Sequence, residues 1–232
     1  MSGLPERLQA AMELVPECGC FLDIGTDHGY LPIELIRSKR AHRAIAADIG
    51  MGPLSRAKEH IRAAGLENLV ETRLSDGLLA IAPGEADTAG ILGMGGGTIR
   101  KILMEGNPRE KGIETLVLGP QSEVPEVRSF LLKNGYAIRE ERLVFEDGKY
   151  YFLMLVLVTP KERKNPYSEE ELLFGRSLLA KRDETLKGYL LWREEVLKKI
   201  QENLKRASSA GQREEAVRKE LELIKKVLGT MY

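Results

Sequence analysis

Apolar residues recur along the chain in two rhythms, and the change between them falls near residue 160. Before it, short apolar runs alternate with amphipathic stretches. Leu4, Leu8, Ala11, Met12 and Val15 lie at helical spacing behind Pro5 and predict an opening helix over residues 4–15. Apolar runs at Cys20–Ile24, Ala44–Ala47, Val70–Leu74, Thr88–Leu92 and Thr115–Leu118 predict five buried strands. Between them, 31–38, 53–64, 99–104 and 124–134 predict helices, two of them closed by Gly65 and Gly135. Two longer runs, 136–146 and 149–159, flank Asp147-Gly148, a dipeptide suited to a tight hairpin turn.

Beyond Pro160 the period becomes helical. Ser168 with Glu171 makes a capping box. Leu172, Leu179, Leu186, Leu190, Leu197, Ile200 and Leu204 form one apolar stripe, and Val217, Leu221, Ile224 and Leu228 a second. The small residues of 207–211 break them apart, which predicts two long helices folded as a hairpin. The expected organisation is therefore a sheet domain over 1–160 and a helical hairpin over 161–232, with a polar link at Lys161–Pro166. In the first domain, strands alternating with helices imply an α/β fold with a mostly parallel sheet covered on both faces. The closing hairpin makes it seven-stranded and Rossmann-like, as in class I methyltransferases, whereas a Rossmann dehydrogenase lacks that hairpin.

Composition narrows the class without naming it. The chain has 232 residues, 43% hydrophobic and 30% charged, with 35 basic against 35 acidic side chains. A neutral balance argues against a wholesale nucleic-acid coat. Its distribution is uneven: residues 161–232 carry 17 Lys and Arg against 13 Asp and Glu, the rest 18 against 22. The longest apolar run, Tyr150 to Val158, is too short to span a bilayer as a helix, so no membrane partner is expected. The N-terminus reads unlike a signal peptide. Cys18 and Cys20 lack a second pair for zinc and read as reduced packing residues, so a cytoplasmic protein without metal is expected. The oligomeric state stays open.

Candidate chemistry gathers at the strand ends. In an open parallel sheet a ligand lies beyond the carboxyl ends of the strands. Here these ends carry Asp23-Ile-Gly25, Asp48-Ile49, Ser75-Asp76-Gly77, Gly93-Met94-Gly95-Gly96-Gly97 and Gly119-Pro120-Gln121. The stretch Phe21–Gly29 reads as a strand, a turn with Thr26, Asp27 and His28 between Gly25 and Gly29, and then a helix. A pyrophosphate cradle wants backbone N–H groups without carboxylates. Asp23 and Asp27 point instead to a cationic ligand. Asp48, 23 residues after Gly25, is placed for ribose hydroxyls, with a surface helix cap as the bland alternative. Asp76 is placed for an adenine amino group. S-adenosylmethionine combines adenine, ribose, an amino acid and a sulfonium. NAD fits less well, because Asp27 and His28 stand where it needs small residues. The glycine run after the fourth strand reads as an open floor for a planar base. No Asn/Asp-Pro-Pro-aromatic motif is present to orient an exocyclic amine, and a ring nitrogen needs none. His28 reads as orienting loop or cofactor, with general base as a lesser role. Arg37, Arg40 and Arg43 form a basic cluster that reads as a solvated helix end or as a phosphate contact.

At Asp23-Ile-Gly-Thr-Asp-His-Gly-Tyr-Leu-Pro32 the sequence resembles the bacterial tRNA adenine-N1 methyltransferases of the TrmK type, which modify adenine 22. The resemblance continues at Ala46-Ala-Asp48, Arg73–Gly77, Gly93–Gly96, Val127–Tyr136 and Glu146–Tyr150, and into the helical tail. It implies transfer of a methyl from S-adenosylmethionine to N1 of a tRNA adenine, with the tail helping to hold tRNA. Asp23, Gly25, Asp27, His28, Gly29, Asp48, Ile49, Ser75, Asp76, Gly77 and Gly93 would then face the cofactor, and Met94, Gly95, Gly96 and Gln121 the acceptor. Asp27 and His28 are the candidate catalytic groups. The family tends to read Gln-Pro-Asn where this chain has Gly119-Pro120-Gln121. Two rivals are a methyltransferase acting on a small molecule or protein, and a non-catalytic RNA-binding module on the same fold.

Overall fold

The computed structural model describes residues 4–160, 166–206 and 211–231. The chain clusters into two compact units, Met1–Asn165 and Pro166–Tyr232. Of the expected link at Lys161–Pro166, residues 161–165 lie outside the described residues.

The first unit runs α1 (Glu6–Leu14), β1 (Cys18–Ile24), α2 (Tyr30–Arg37), β2 (Ala41–Asp48), α3 (Met51–Ala63), β3 (Val70–Leu74), β4 (Thr88–Met94), α4 (Gly96–Gly106), β5 (Thr115–Pro120), α5 (Val124–Lys133), β6 (Ala137–Glu146) and β7 (Lys149–Leu157). All seven strands join one sheet in the order β3-β2-β1-β4-β5-β7-β6. β1 to β5 are parallel, β7 is antiparallel to β5, and β6 is antiparallel to β7. The order reverses between β1 and β4, which makes their carboxyl ends the switch point where ligands bind in such sheets. Central strands buried on both faces read as continuous apolar runs, and Leu116, Val117 and Leu118 of β5 are wholly buried. β1 and β2 start earlier than their apolar runs. Their ladder begins with Cys18 opposite Ala41 and takes in the exposed His42 and Arg43, which hydrophobic periodicity does not register. The hairpin turn is as expected: Asp147 and Gly148 both have positive φ, +50° and +74°, the backbone twist that suits a two-residue β-turn.

α1 lies against the hairpin. Its first backbone N–H and the Arg7 guanidinium both donate to Glu146 at the tip of β6, and Arg142 pairs with Glu13. At the other end Arg40 donates to the Val15 and Glu13 carbonyls and ties α1 to the start of β2. α5 is joined to β6 by a buried ion pair, Arg128 Nε to Glu141 Oε1 at 2.7 Å.

In the second unit the first expected long helix is broken into three: α6 (Glu169–Phe174), α7 (Arg176–Lys181) and α8 (Glu184–Arg206). Gly175 (φ +94°) and Arg182 (φ +50°) leave helical geometry, and the Asp183 carboxylate caps α8 by accepting from the Leu186 N–H at 3.0 Å. A continuous leucine stripe hid these breaks, because short helices that keep one apolar side preserve the spacing. The capping box of Ser168 and Glu171 forms as expected. α9 (Gly211–Met231) runs antiparallel to α8, with Arg193 Nε 2.7 Å from Glu220. Leu186, Leu190 and Leu197 of α8 and Val217, Leu221 and Ile224 of α9 are buried. The connection at 207–210 lies outside the described residues.

Candidate active site

β1 ends in Asp23 and Ile24, and the chain then turns sharply. Gly25 (φ +81°) and Gly29 (φ +68°) adopt a conformation that other residues rarely take, and between them Thr26, Asp27 and His28 rise from the sheet edge. A cavity of about 370 Å³ opens at this turn. Of the expected residues, Asp23, Gly25, Asp27, His28, Gly29, Gly93 and Gln121 line it. α1 and β7 close its other side with Arg7, Tyr151 and Phe152, which no sequence pattern singled out.

Asp23 is 8% exposed. Burial pushes its carboxyl up to about 6, the Thr26 hydroxyl pulls the other way, and Asp48 adds to the rise. That hydroxyl is itself buried and lacks a hydrogen bond of regular geometry among the described residues. A carboxylate held against its own ionisation is a group that a cationic ligand satisfies. Asp27 is the opposite case. It is exposed, and its carboxyl is held below the ordinary range by the Arg56 guanidinium of α3, with which it pairs, and by His28. His28 Nε2 lies 3.2 Å from Asp27 Oδ2, and its Nδ1 is buried without a partner among the described residues. The His28, Tyr30 and His60 rings cluster with centroids 5.1–5.4 Å apart, and His60 Nδ1 lies 2.9 Å from the His28 carbonyl. Arg56 and His60 had no signal in the sequence, because they reach the turn from a helix that only the fold brings there.

Asp48 and Asp76 end β2 and the turn after β3, outside the cavity and across β1 from it. One Asp48 oxygen accepts the Gly50 N–H at 2.7 Å, so the other is available to a ligand. Ile49 is 70% exposed beside it, and Asp76 is exposed. The Ser75 hydroxyl is buried and bonded on both sides, donating to the Gly77 carbonyl at 2.8 Å and accepting from the Ala80 N–H at 3.2 Å. Ser75 and Gly77 therefore shape the turn that presents Asp76. Met94 is not among the residues that line the cavity; its methyl fills the space that a Cβ on residue 25 would need, 2.1 Å from that position.

Gly95 and Gly96, expected to face the acceptor, are not among the residues that line the cavity. Gly96 is buried, and a Cβ there would come within 2.6 Å of the Ser122 carbonyl and 2.9 Å of Val127. These glycines let the start of α4 press against the loop before α5, where Ser122 and Glu123 accept the Gly96 and Gly97 N–H groups. Arg37, Arg40 and Arg43, expected as a solvated helix end or a phosphate contact, lie away from the cavity. They stand at the end of α2 and the first half of β2, toward the edge opposite Asp48, with Arg37 paired to Glu34 and Arg40 bonded to α1 carbonyls. The cluster is contiguous in sequence, but the strand carries it away from the ligand edge.

The family described as "Methyltransferase domain" matches residues 4–154. The chain is similar to the Bacillus subtilis tRNA (adenine(22)-N(1))-methyltransferase, 39% identical over 152 residues, which make up 66% of this chain and 64% of that protein's length. The crystal structure of the B. subtilis m1A22 tRNA methyltransferase TrmK matches with a TM-score of 0.87 at 30% identity, covering 98% of this chain and 100% of that one. The chain belongs to the TrmK family of methyltransferases. The structure of M. capricolum TrmK in complex with the cofactor product S-adenosyl-homocysteine matches with a TM-score of 0.85 at 27% identity, covering 99% of this chain and 99% of that one. TrmK likeness thus extends past the methyltransferase domain into the helical tail. Among the described residues, no helix is long and apolar enough to cross a membrane, and no cluster of side chains suits a metal ion.

Proposed function

We propose that this chain transfers the methyl group of S-adenosylmethionine to N1 of an adenine in tRNA, adenine 22 by its likeness to TrmK. The observation that carries the reading is Asp23, a buried carboxylate at the switch point, followed across the sheet by Asp48 at the end of β2 and Asp76 in the turn after β3. That set matches a cation, a ribose and an adenine in one line along the strand ends. When bound, S-adenosylmethionine supplies an electrophilic methyl group on a positively charged sulfur.

The chain's own residues then have distinct tasks. Asp23 and the Gly25 turn receive the charged amino-acid end, Asp48 accepts from ribose hydroxyls, and Asp76 meets the adenine of the cofactor. Asp27, exposed at the cavity and kept ionised by Arg56, faces the positive charge that the acceptor base gains on N1 methylation. His28 holds the Asp27 side chain on its turn. N1 of adenine attacks with a lone pair in the plane of the ring, so the protein's main work is to fix that plane. An adenine inside a folded tRNA must leave its stack to enter. The helical tail, mildly basic in composition, is proposed to hold the rest of the tRNA.

The test is primer extension on tRNA incubated with enzyme and S-adenosylmethionine. N1-methyladenine blocks Watson–Crick pairing, so a stop at adenine 22 is the expected result. Cofactor binding by calorimetry without any stop on tRNA would leave the fold's chemistry in place and refute the acceptor.

A further inference from the structure

The cavity carries more than the catalytic turn needs. The acids proposed for the cofactor's ribose and adenine, Asp48 and Asp76, lie on β2 and after β3, on one side of β1. The cavity opens on the other side, over β4, β5 and β7, and its far wall is built from α1 and β7. Two side chains dominate that wall. The Arg7 guanidinium carbon lies 5.3 Å from the centre of the Tyr151 ring. Arg7 also pairs through Nη1 with Glu146, a carboxylate whose side chain is only 12% exposed, while Arg7 itself is 36% exposed. The pairing and the ring fix the guanidinium in place. Its Nε–H and Nη2–H groups carry no bond among the described residues, and together they are the donor pair of a side-on bidentate anion contact.

We infer that Arg7 and Tyr151 form the acceptor-nucleotide subsite of this cavity, the guanidinium meeting a phosphate and the tyrosine ring taking the face of the displaced base or its neighbour. The inference rests on the proposed nucleic-acid acceptor and deepens it. A nucleotide presents an anion within a few ångströms of a flat π-surface, and a fixed arginine beside an aromatic ring matches both at once. A small neutral acceptor would have no use for the charge. Arg7 also puts a cation opposite Asp23 and Asp27 in the same cavity, so the acidic turn and the phosphate-binding wall divide the site by charge. The N-terminal helix thereby becomes part of the substrate site, well outside the strand-end turns that the sequence marks. Arg7 and Tyr151 are positioning residues: they hold the acceptor and take no part in bond making.

The experiment compares full-length wild type with Arg7→Ala, Arg7→Lys and Tyr151→Leu. It reads kcat and KM for tRNA, the salt dependence of kcat/KM, calorimetric binding of S-adenosylmethionine, and the melting temperature. Arg7→Ala is expected to raise KM for tRNA about tenfold or more and to flatten the log–log salt slope by about one, with cofactor binding within twofold of wild type. Arg7→Lys keeps the charge but loses the fork, so it is expected to retain the salt slope with a smaller rise in KM. Tyr151→Leu is expected to raise KM severalfold at an unchanged slope, since stacking is lost and charge is kept. Unaltered KM and slope in Arg7→Ala would overturn the inference, as would a fall in melting temperature with proportionate loss of cofactor binding in all three variants. A wild type that fails to modify tRNA would instead refute the acceptor itself, and the subsite with it.

Discussion

Replacing Asp23 by asparagine separates the fold's interest from the ligand's. Burial raises the Asp23 carboxyl from its ordinary 3.8 to about 6. A group whose folded pKa lies above its unfolded value stabilises the fold at low pH, and that contribution is lost as pH rises through the folded value. At 1.36 kcal/mol per pKa unit, the rise from 3.8 corresponds to about 3 kcal/mol, lost between about pH 4 and pH 6. The amide of the Asp23→Asn variant cannot ionise. The stability of Asp23→Asn relative to wild type, measured by urea unfolding without cofactor, is therefore expected to grow by about 3 kcal/mol from pH 4 to pH 7. Adding S-adenosylmethionine at pH 7 should reverse the order, because a ligand that binds only the folded wild type stabilises it by RT ln(1 + [L]/Kd). A difference between the two proteins that stays flat within about 1 kcal/mol across this range would refute the account of a carboxylate strained by burial. Equal stabilisation of both proteins by cofactor would remove Asp23 from the binding site.

The remaining predictions use other readouts. Gly96→Ala should destabilise by about 1–3 kcal/mol in thermal or urea unfolding, because the new Cβ meets a backbone carbonyl at 2.6 Å that cannot yield without moving the loop. Glu141→Leu should destabilise by about 3–5 kcal/mol by leaving the buried Arg128 without its carboxylate. Asp48→Ala should weaken S-adenosylmethionine binding by about 10-fold or more in calorimetry, with the melting temperature of the free protein little changed. Asp27→Asn should bind cofactor and tRNA normally and lower kcat; an unchanged kcat would exclude a catalytic role for that carboxylate.

Much of this protein was legible along the chain. Apolar runs located the strands, because a strand buried on both faces must be apolar and a turn must not be. Asp147-Gly148 fixed the hairpin, since few dipeptides tolerate two positive φ values in succession. The acids of β1, β2 and the β3 turn could be assigned to the strand ends from the sequence alone, because their places in a parallel sheet follow from strand order, and on them rests the proposal of a cationic ligand with a ribose. The tertiary structure decided the rest. It broke the first tail helix at Gly175 and Arg182, where an unbroken leucine spacing concealed a change of direction. It set Gly96 of the glycine run tightly against the loop before α5, because only the approach of that loop reveals what a side chain would strike. It brought Arg7, Arg56, His60 and Tyr151 to the ligand edge or beside it from segments far apart in sequence. Local pattern determines which elements form and which ends of them face a ligand; it does not encode which distant helix closes the cavity, since that depends on how whole elements pack.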